Sequence, residues 1–217
     1  MSRGLFRPID IKDNPTYKRH MRTMKLFFFS LIFIVCILSC ATRTESAAGR
    51  DVYVNLTNSS RFVLLPTEGI EQAMDMLQFL SAEFMGQNYF LQAWVKADEN
   101  AIEMIIFNEL GASMGELSYR NGVVHFSSSV LPRSVIQLFK PEYIIADFQL
   151  CFYDPLLLSN SLKESGLVFE VTDGGSRRVL SGNEVIIEIE KTENSVELVN
   201  HLRRYAYVME GDFRGIL

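Results

Sequence analysis

The chain has 217 residues, 48% of them hydrophobic, which suits one domain with an apolar core rather than several. Its 21 basic and 26 acidic residues are unevenly placed: seven basic and two acidic side chains precede residue 40, leaving 14 against 24 and a net charge near −10 in the remainder. That balance argues against nucleic acid, and against anionic membrane surfaces as electrostatic partners.

The first 39 residues carry processing information rather than fold. Arg22 and Lys25 form a basic n-region ahead of Leu26 to Leu38 (LFFFSLIFIVCIL), an apolar run of thirteen residues. Such a run spans about 20 Å as a helix, short of the roughly 30 Å hydrocarbon core, so a cleavable export signal fits better than a membrane span. Ile37-Leu38-Ser39-Cys40 resembles the lipobox, in which the cysteine is diacylated and becomes the N-terminus, although Leu38 is bulkier than usual. The alternatives are an ordinary secretory signal with a chance cysteine and a short anchor. Cys36 is the poorer candidate because Val35 precedes it. Ala41, which is not aspartate, resembles the default for outer-membrane sorting in Gram-negative lipoproteins. Residues Met1 to His20 serve no obvious export purpose, and initiation at Met21 or Met24 would give a precursor of ordinary proportions.

Ala41 to Ser60 is small and polar and reads as a tether, reaching at most about 70 Å at roughly 3.5 Å per residue. The expected division is leader 1–39, anchor and tether 40–65, and a single domain 66–217. From Met74 the period falls to two. Ile70 to Phe84 also fits a helical face, but a strand from Met74 is preferred. Tyr89 to Asp98, Ala101 to Asn108, Ala112 to Arg120 and Val123 to Ser127 follow as strands, the last pair joined by a hairpin turn at Asn121-Gly122. Both faces of Tyr89 to Asp98 carry large apolar groups, as expected of a sheet covered on one side and curved around something on the other.

After Pro132, a short apolar turn (Val135, Ile136, Phe139) precedes a helix opened by Pro141, with Ile144, Ile145, Phe148 and Phe152 on one face. Asp154-Pro155 caps a second helix over Leu156 to Leu162. Alternation then resumes through Leu167 to Val171, Val179-Leu180, Val185 to Ile189, Val196 to Asn200 and Tyr205 to Met209. The predicted fold class is mainly β with inserted helices (α+β), a curved antiparallel sheet or incomplete barrel of eight to eleven strands.

Gly111-Ala-Ser113-Met-Gly115 matches the G-x-S-x-G nucleophile pattern, with Asp147 or Asp154 and then His201 in triad order. A nucleophile elbow needs strand, tight turn and helix, whereas Glu116 to Arg120 runs on as a strand. His125 and His201 have no partner at metal-ligand spacing, so no metal or other cofactor is expected. Gly174-Gly175 lacks the following helix of a phosphate cradle. The comb Glu184, Glu188 and Glu190 reads as a solvated face. Once Cys40 is lipidated only Cys151 remains, so no disulfide forms, and its apolar surroundings mark a buried thiol rather than a nucleophile.

The order of features over about Pro66 to Glu210 resembles a domain-of-unknown-function family of bacterial lipoproteins often encoded beside aryl polyene biosynthesis genes. The resemblance rests on Gln78, Gly115-Glu116-Leu117 before Tyr119 and Asn121-Gly122, Leu131-Pro132, and Pro141-Glu142 with Ile145-Ala146-Asp147-Phe148-Gln149-Leu150. It continues through Asp154-Pro155, Arg178-Val179-Leu180, Asn200 and Tyr205. Such proteins are similar to the LolA/LolB lipoprotein carriers, whose incomplete antiparallel barrel is closed by helices around an apolar cavity.

The resemblance implies an outer-membrane lipoprotein, anchored through Cys40 on the periplasmic face. It would accept a lipid, lipoprotein or aryl polyene-type ligand, with a periplasmic carrier as a possible donor. Cavity candidates are Tyr89, Leu91, Trp94, Ile106, Phe148 and Phe169. By analogy with the membrane-entering loop of LolB-like proteins, Leu110 in Asn108-Glu109-Leu110-Gly111 is the membrane-loop candidate; packing at a strand end is the other reading. A tethered domain cannot cross the periplasm, which favours an acceptor over a shuttle. Alternative functions are a structural or assembly lipoprotein docking a protein partner and, more remotely, a serine hydrolase using Ser113.

Overall fold

The computed structural model describes residues 42–45, 51–84, 87–132, 136 and 140–213; the leader, Cys40 and the Val135 and Phe139 part of the expected apolar turn lie outside them. The strands come in three groups. An N-terminal group comprises β1 (Thr42–Glu45), β2 (Tyr53–Asn55) and β3 (Arg61–Val63). A meander follows: β4 (Met74–Phe84), β5 (Gln87–Ala97), β6 (Ile102–Asn108), β7 (Ser113–Arg120) and β8 (Val123–Ser128). After α1 (Pro141–Phe152) and α2 (Pro155–Glu164) come β9 (Val168–Val171), β10 (Arg177–Ser181), β11 (Glu184–Lys191), β12 (Ser195–Asn200) and β13 (Tyr205–Glu210).

Eleven strands form one antiparallel sheet in the order β1-β8-β7-β6-β5-β4-β13-β12-β11-β10-β9, while β2 and β3 pair with each other. The two halves of the chain meet where β13 pairs with β4, Tyr205 opposite Phe84 and Glu210 opposite Phe79. The sheet is curved but open, with β1 and β9 at its edges. Asn121 and Gly122 both take positive φ, as the tightest β7–β8 hairpin turn requires. Gly115 is needed for a different reason: a Cβ there would sit 2.7 Å from the Phe126 ring on the neighbouring strand.

Side chains of one face follow from the register. Gln78 lies opposite Ala93 and Ala93 opposite Ile106, and with Met74, Val95, Ile102, Met104, Leu117 and Tyr119 they form the inner, concave face. The helices cover this face, α1 touching β8 towards one edge and β12 towards the other. Helix α1 is buried almost all round from Ile145 to Phe152, because the β2–β3 hairpin closes its far side. Gln149 ties the two together, its Oε1 accepting from Leu65 N at 2.9 Å and its Nε2 donating to Leu65 O at 2.7 Å. Asp154 caps α2 by accepting from the Leu156 and Leu157 amides, as expected of an Asp-Pro helix start.

One expectation fails. Residues 51–65 are no tether: Val52, Val54, Leu56, Phe62 and Leu64 are buried in the main core, so the domain begins well before Pro66, in a compact unit that spans Ala41–Leu217. Thr42 to Glu45, expected to be part of the same spacer, lie along β8 with Thr42 opposite Ser128. The signal was present as the alternation Val52-x-Val54-x-Leu56, but strands of three residues flanked by Ser, Thr and Asn resemble a linker in composition.

Candidate functional site

Register divides the strand ends between two rims. One holds the β6–β7 turn, the end of β8, the start of α1 and the β12–β13 loop; the other holds the β5–β6, β7–β8, β9–β10 and β11–β12 turns. Helix α1 runs from the first rim to the second. Arg177, at the start of β10, donates from Nη1 to the carbonyls of Leu150 (3.1 Å) and Tyr153 (2.7 Å), and from Nη2 to Glu71 (2.9 Å). This buried guanidinium therefore satisfies the last carbonyls of α1 at the second rim.

Burial along the concave face changes between the rims. Towards the second rim Met74, Val95, Ala97 and Ile102 are buried beneath α1 and the hairpin. Towards the first rim Leu80, Leu91, Ile106 and Tyr207 are only half-buried and Tyr89 is exposed. The result is an apolar trough, covered at one end and open at the other. Where β13, β4 and β5 meet, a shallow depression of about 200 Å³ opens on the outer face, lined mainly by Ser81, Glu83, Asn88, Phe90, Ala206 and Val208. It is smaller than the roughly 300 Å³ at which pockets begin to enclose a whole small molecule. The trough lies on the opposite face of these strands. On its floor the buried Gln78 leaves its amide Nε2 without a partner, a donor available to a carbonyl or carboxylate.

Of the six cavity candidates, Tyr89, Leu91 and Ile106 share this trough face. Phe148 is buried in α1, 4.9 Å from the Phe152 ring, and Phe169 is buried on β9, so both belong to the packed core. Trp94 is misplaced by the sequence reading. It lies opposite Leu77 and Ile105 on the outer face and donates from Nε1 to Asp75 at 2.9 Å. Where both faces of a strand are apolar, period two cannot say which face is inside. Leu110 does not pack at a strand end; its side chain is 92% exposed. The loop that presents it is built, since Asn108 Oδ1 accepts from the Leu110 and Ala112 amides and Gly111 takes φ 77°.

The first rim also carries a polar network that sequence reasoning did not assemble. Tyr143, Asp147 and Cys151 lie at four-residue spacing on α1. The Tyr205 hydroxyl donates to Asp147 Oδ2 at 2.7 Å and accepts from Asn200 Nδ2 at 3.3 Å. Arg203 stacks its guanidinium 3.7 Å from the Tyr143 ring centroid, and it donates to Asn55 O at 2.8 Å and to the Tyr143 hydroxyl. The hairpin, α1 and the β12–β13 loop are thus clasped together beside the open end of the trough. Burial pushes the Asp147 carboxyl up to about 7, against the opposing pull of Tyr205 and Arg203. Burial likewise raises Tyr205 and Tyr207 well above the usual phenol range, and the Cys151 thiol to about 12, which suits an inert core thiol. Asp147, Gln149, Asn200 and Tyr205 all stand out in sequence, but nothing in a linear pattern pairs α1 with β13.

Ser113 begins β7 and Gly115 continues the strand, so Gly111 to Gly115 is no nucleophile elbow. Asp147 bonds Tyr205, Asp154 caps α2, and His201 stands 3.3 Å from Glu188 Oε2 beyond β12, five positions across the sheet from β7. The triad order therefore brings no triad together. Among the described residues no group of His, Cys, Asp and Glu is arranged to hold a metal, and no helix is long and apolar enough to cross a membrane.

Fold and trough define an open antiparallel sheet with two helices inserted between its halves, one crossing its concave face. Residues 75–210 match a family described as a protein of unknown function, DUF3261, and the chain belongs to that family. No curated protein matches it.

Proposed function

We propose that this protein is a bacterial envelope lipoprotein, anchored through Cys40 on the periplasmic face of the outer membrane, that accepts one hydrophobic chain of a lipid, lipoprotein or aryl polyene-type ligand. The observation that carries the reading is the trough: an apolar concave face covered by α1 at one end and half-open at the other. The orphaned Gln78 amide suits a ligand with a carbonyl or carboxyl group, and Leu110 on its rigid turn suits contact with lipid. Likeness to LolA/LolB carriers supports the same role, with a periplasmic carrier as donor and this anchored domain as acceptor.

The test is direct. The full chain, extracted from its membrane, is expected to release a lipid or polyene under mass spectrometry and to bind a fluorescent fatty acid; finding neither would sink the reading. Replacing Leu91 by Glu, which puts a charge into the trough, is expected to abolish that binding while leaving the thermal transition in place. Leu110→Glu is expected to lower transfer of ligand to or from vesicles without loss of binding, and unchanged transfer would remove the loop from the mechanism.

A second reading has its own observation. Leu77, Phe79 and Phe90 are exposed on the outer face beside Trp94, a surface that suits a structural or assembly lipoprotein docking a protein partner. Recovery of a stoichiometric partner from solubilised envelope, lost on Phe79→Glu, would favour it.

A further inference from the structure

Exposed apolar side chains on the described loops are not spread evenly between the rims. At the first rim Leu110 is 92% exposed on the β6–β7 turn, Val130 57% after β8 and Leu202 47% in the β12–β13 loop. The charged groups of that rim's loops balance: Lys140, Lys163, Arg203 and Arg204 against Glu109, Glu142, Glu164 and Glu184. The second rim is acidic, carrying Glu68, Asp98, Glu99, Asp173, Glu193 and Asp212 in its turns against Lys191 and Arg120, the latter paired with Glu103, while its Arg177 is occupied by Glu71 and two helix carbonyls. Leu156, Leu157 and Val171 are exposed there too, but beside Asp154 and Asp173. The overall negative charge thus leaves one end of the strands near neutral and apolar, and the other hostile to an anionic surface.

Topology adds an independent fact. β1 runs antiparallel to β8 with Thr42 opposite Ser128, so the chain enters the sheet from the first rim. Cys40 is two residues before Thr42, at most about 7 Å of backbone. We propose that the first rim is the face on which the domain rests against the bilayer holding its own anchor. Leu110, Val130 and Leu202 enter the headgroup region, and the open end of the trough faces the lipid. This rests on the reading that Cys40 is lipidated. It adds a route: ligand moves between trough and membrane without passing through water.

Trp94 is the sole tryptophan and can be replaced by phenylalanine, so single tryptophans report depth. In the full chain carrying Trp94→Phe, the variants Leu110→Trp, Leu202→Trp and Leu156→Trp would each be reconstituted into phosphatidylethanolamine–phosphatidylglycerol vesicles with brominated acyl chains. The expected result is a blue shift and loss of emission at positions 110 and 202 and neither at 156. Quenching at 156, or at none of the three, overturns the proposal. Flotation of the chain with the vesicles reports the anchor separately, and a chain that does not float removes both anchor and docking face. A chain that floats and quenches as expected but yields no extractable ligand keeps the docking face and removes the acceptor role.

Discussion

Asp147 is the residue whose chemistry departs furthest from its surroundings. It sits on a helix buried on nearly every side, beside Cys151 and Tyr207, with the Tyr205 hydroxyl and the nearby Arg203 as its polar company. Burial raises it to about 7, well above the ordinary carboxylate range, so the native state holds this proton more tightly than the unfolded chain does. The group therefore favours folding below pH 4, and that advantage is lost as pH rises towards 7. Asp147→Asn keeps an oxygen for Tyr205 and removes the buried charge. It is expected to be more stable than the parent chain at pH 8, by a few kcal/mol at about 1.4 kcal/mol per pKa unit, and equal to it near pH 4. Urea midpoints at the two pH values check this, and a difference independent of pH would show that Asp147 is already neutral throughout. At Gly115 the argument is steric. Alanine there pushes a methyl into Phe126 and is expected to cost about 1–3 kcal/mol of stability, measurable as a lowered melting temperature.

At the scale of elements, α1 depends on groups far away in sequence. Arg177 ends the helix by bonding the carbonyls of Leu150 and Tyr153, and Glu71 balances its charge. Arg177→Met fills similar space but orphans those carbonyls and leaves Glu71 unpaired, so a loss of about 3–5 kcal/mol is expected in denaturant titration. Asp154→Ala removes only the α2 cap and is expected to cost about 1 kcal/mol. The meander, the hairpin turns and the Asp-Pro helix start were legible because each is a local pattern: period two, Asn-Gly, an oxygen before a proline. Arg177 was not, since a buried arginine on a strand looks the same in sequence as its half-buried neighbour Arg178. The β2–β3 hairpin was missed for want of length, and Trp94 was put on the wrong face because Phe90, Gln92 and Trp94 are as bulky as the inward set.

For the whole molecule, the decisive correction is where the domain starts. A chain beginning at Pro66, the boundary that composition suggests, lacks Val52, Val54, Leu56, Phe62 and Leu64 and uncovers the outer side of α1. It is expected to lose cooperative thermal unfolding, whereas one beginning at Asp51 retains it; equal melting curves would show that the hairpin is dispensable. Half of the candidate site was readable in advance: Tyr89, Leu91 and Ile106 by alternation, and Leu110 by its place between strands. The clasp of Tyr143, Arg203, Asp147 and Tyr205 required the pairing of β13 with β4, a contact between the two ends of the domain that no local signal announces.

The pairing of β1 with β8 sets how far the domain would stand from the proposed anchor. With four residues docked in register, only Ala41 separates the proposed lipidated cysteine from a strand of the sheet, so the domain is held like a door on a hinge rather than a buoy on a rope. Peeling β1 away would release the ten residues from Ala41 to Arg50, about 35 Å of chain at full stretch. Under the proposed anchoring through Cys40, the domain would have two working heights, low with the strand zipped and high with it open. A partner that competes for the edge of β8 would lift the domain off the bilayer simply by taking β1's place.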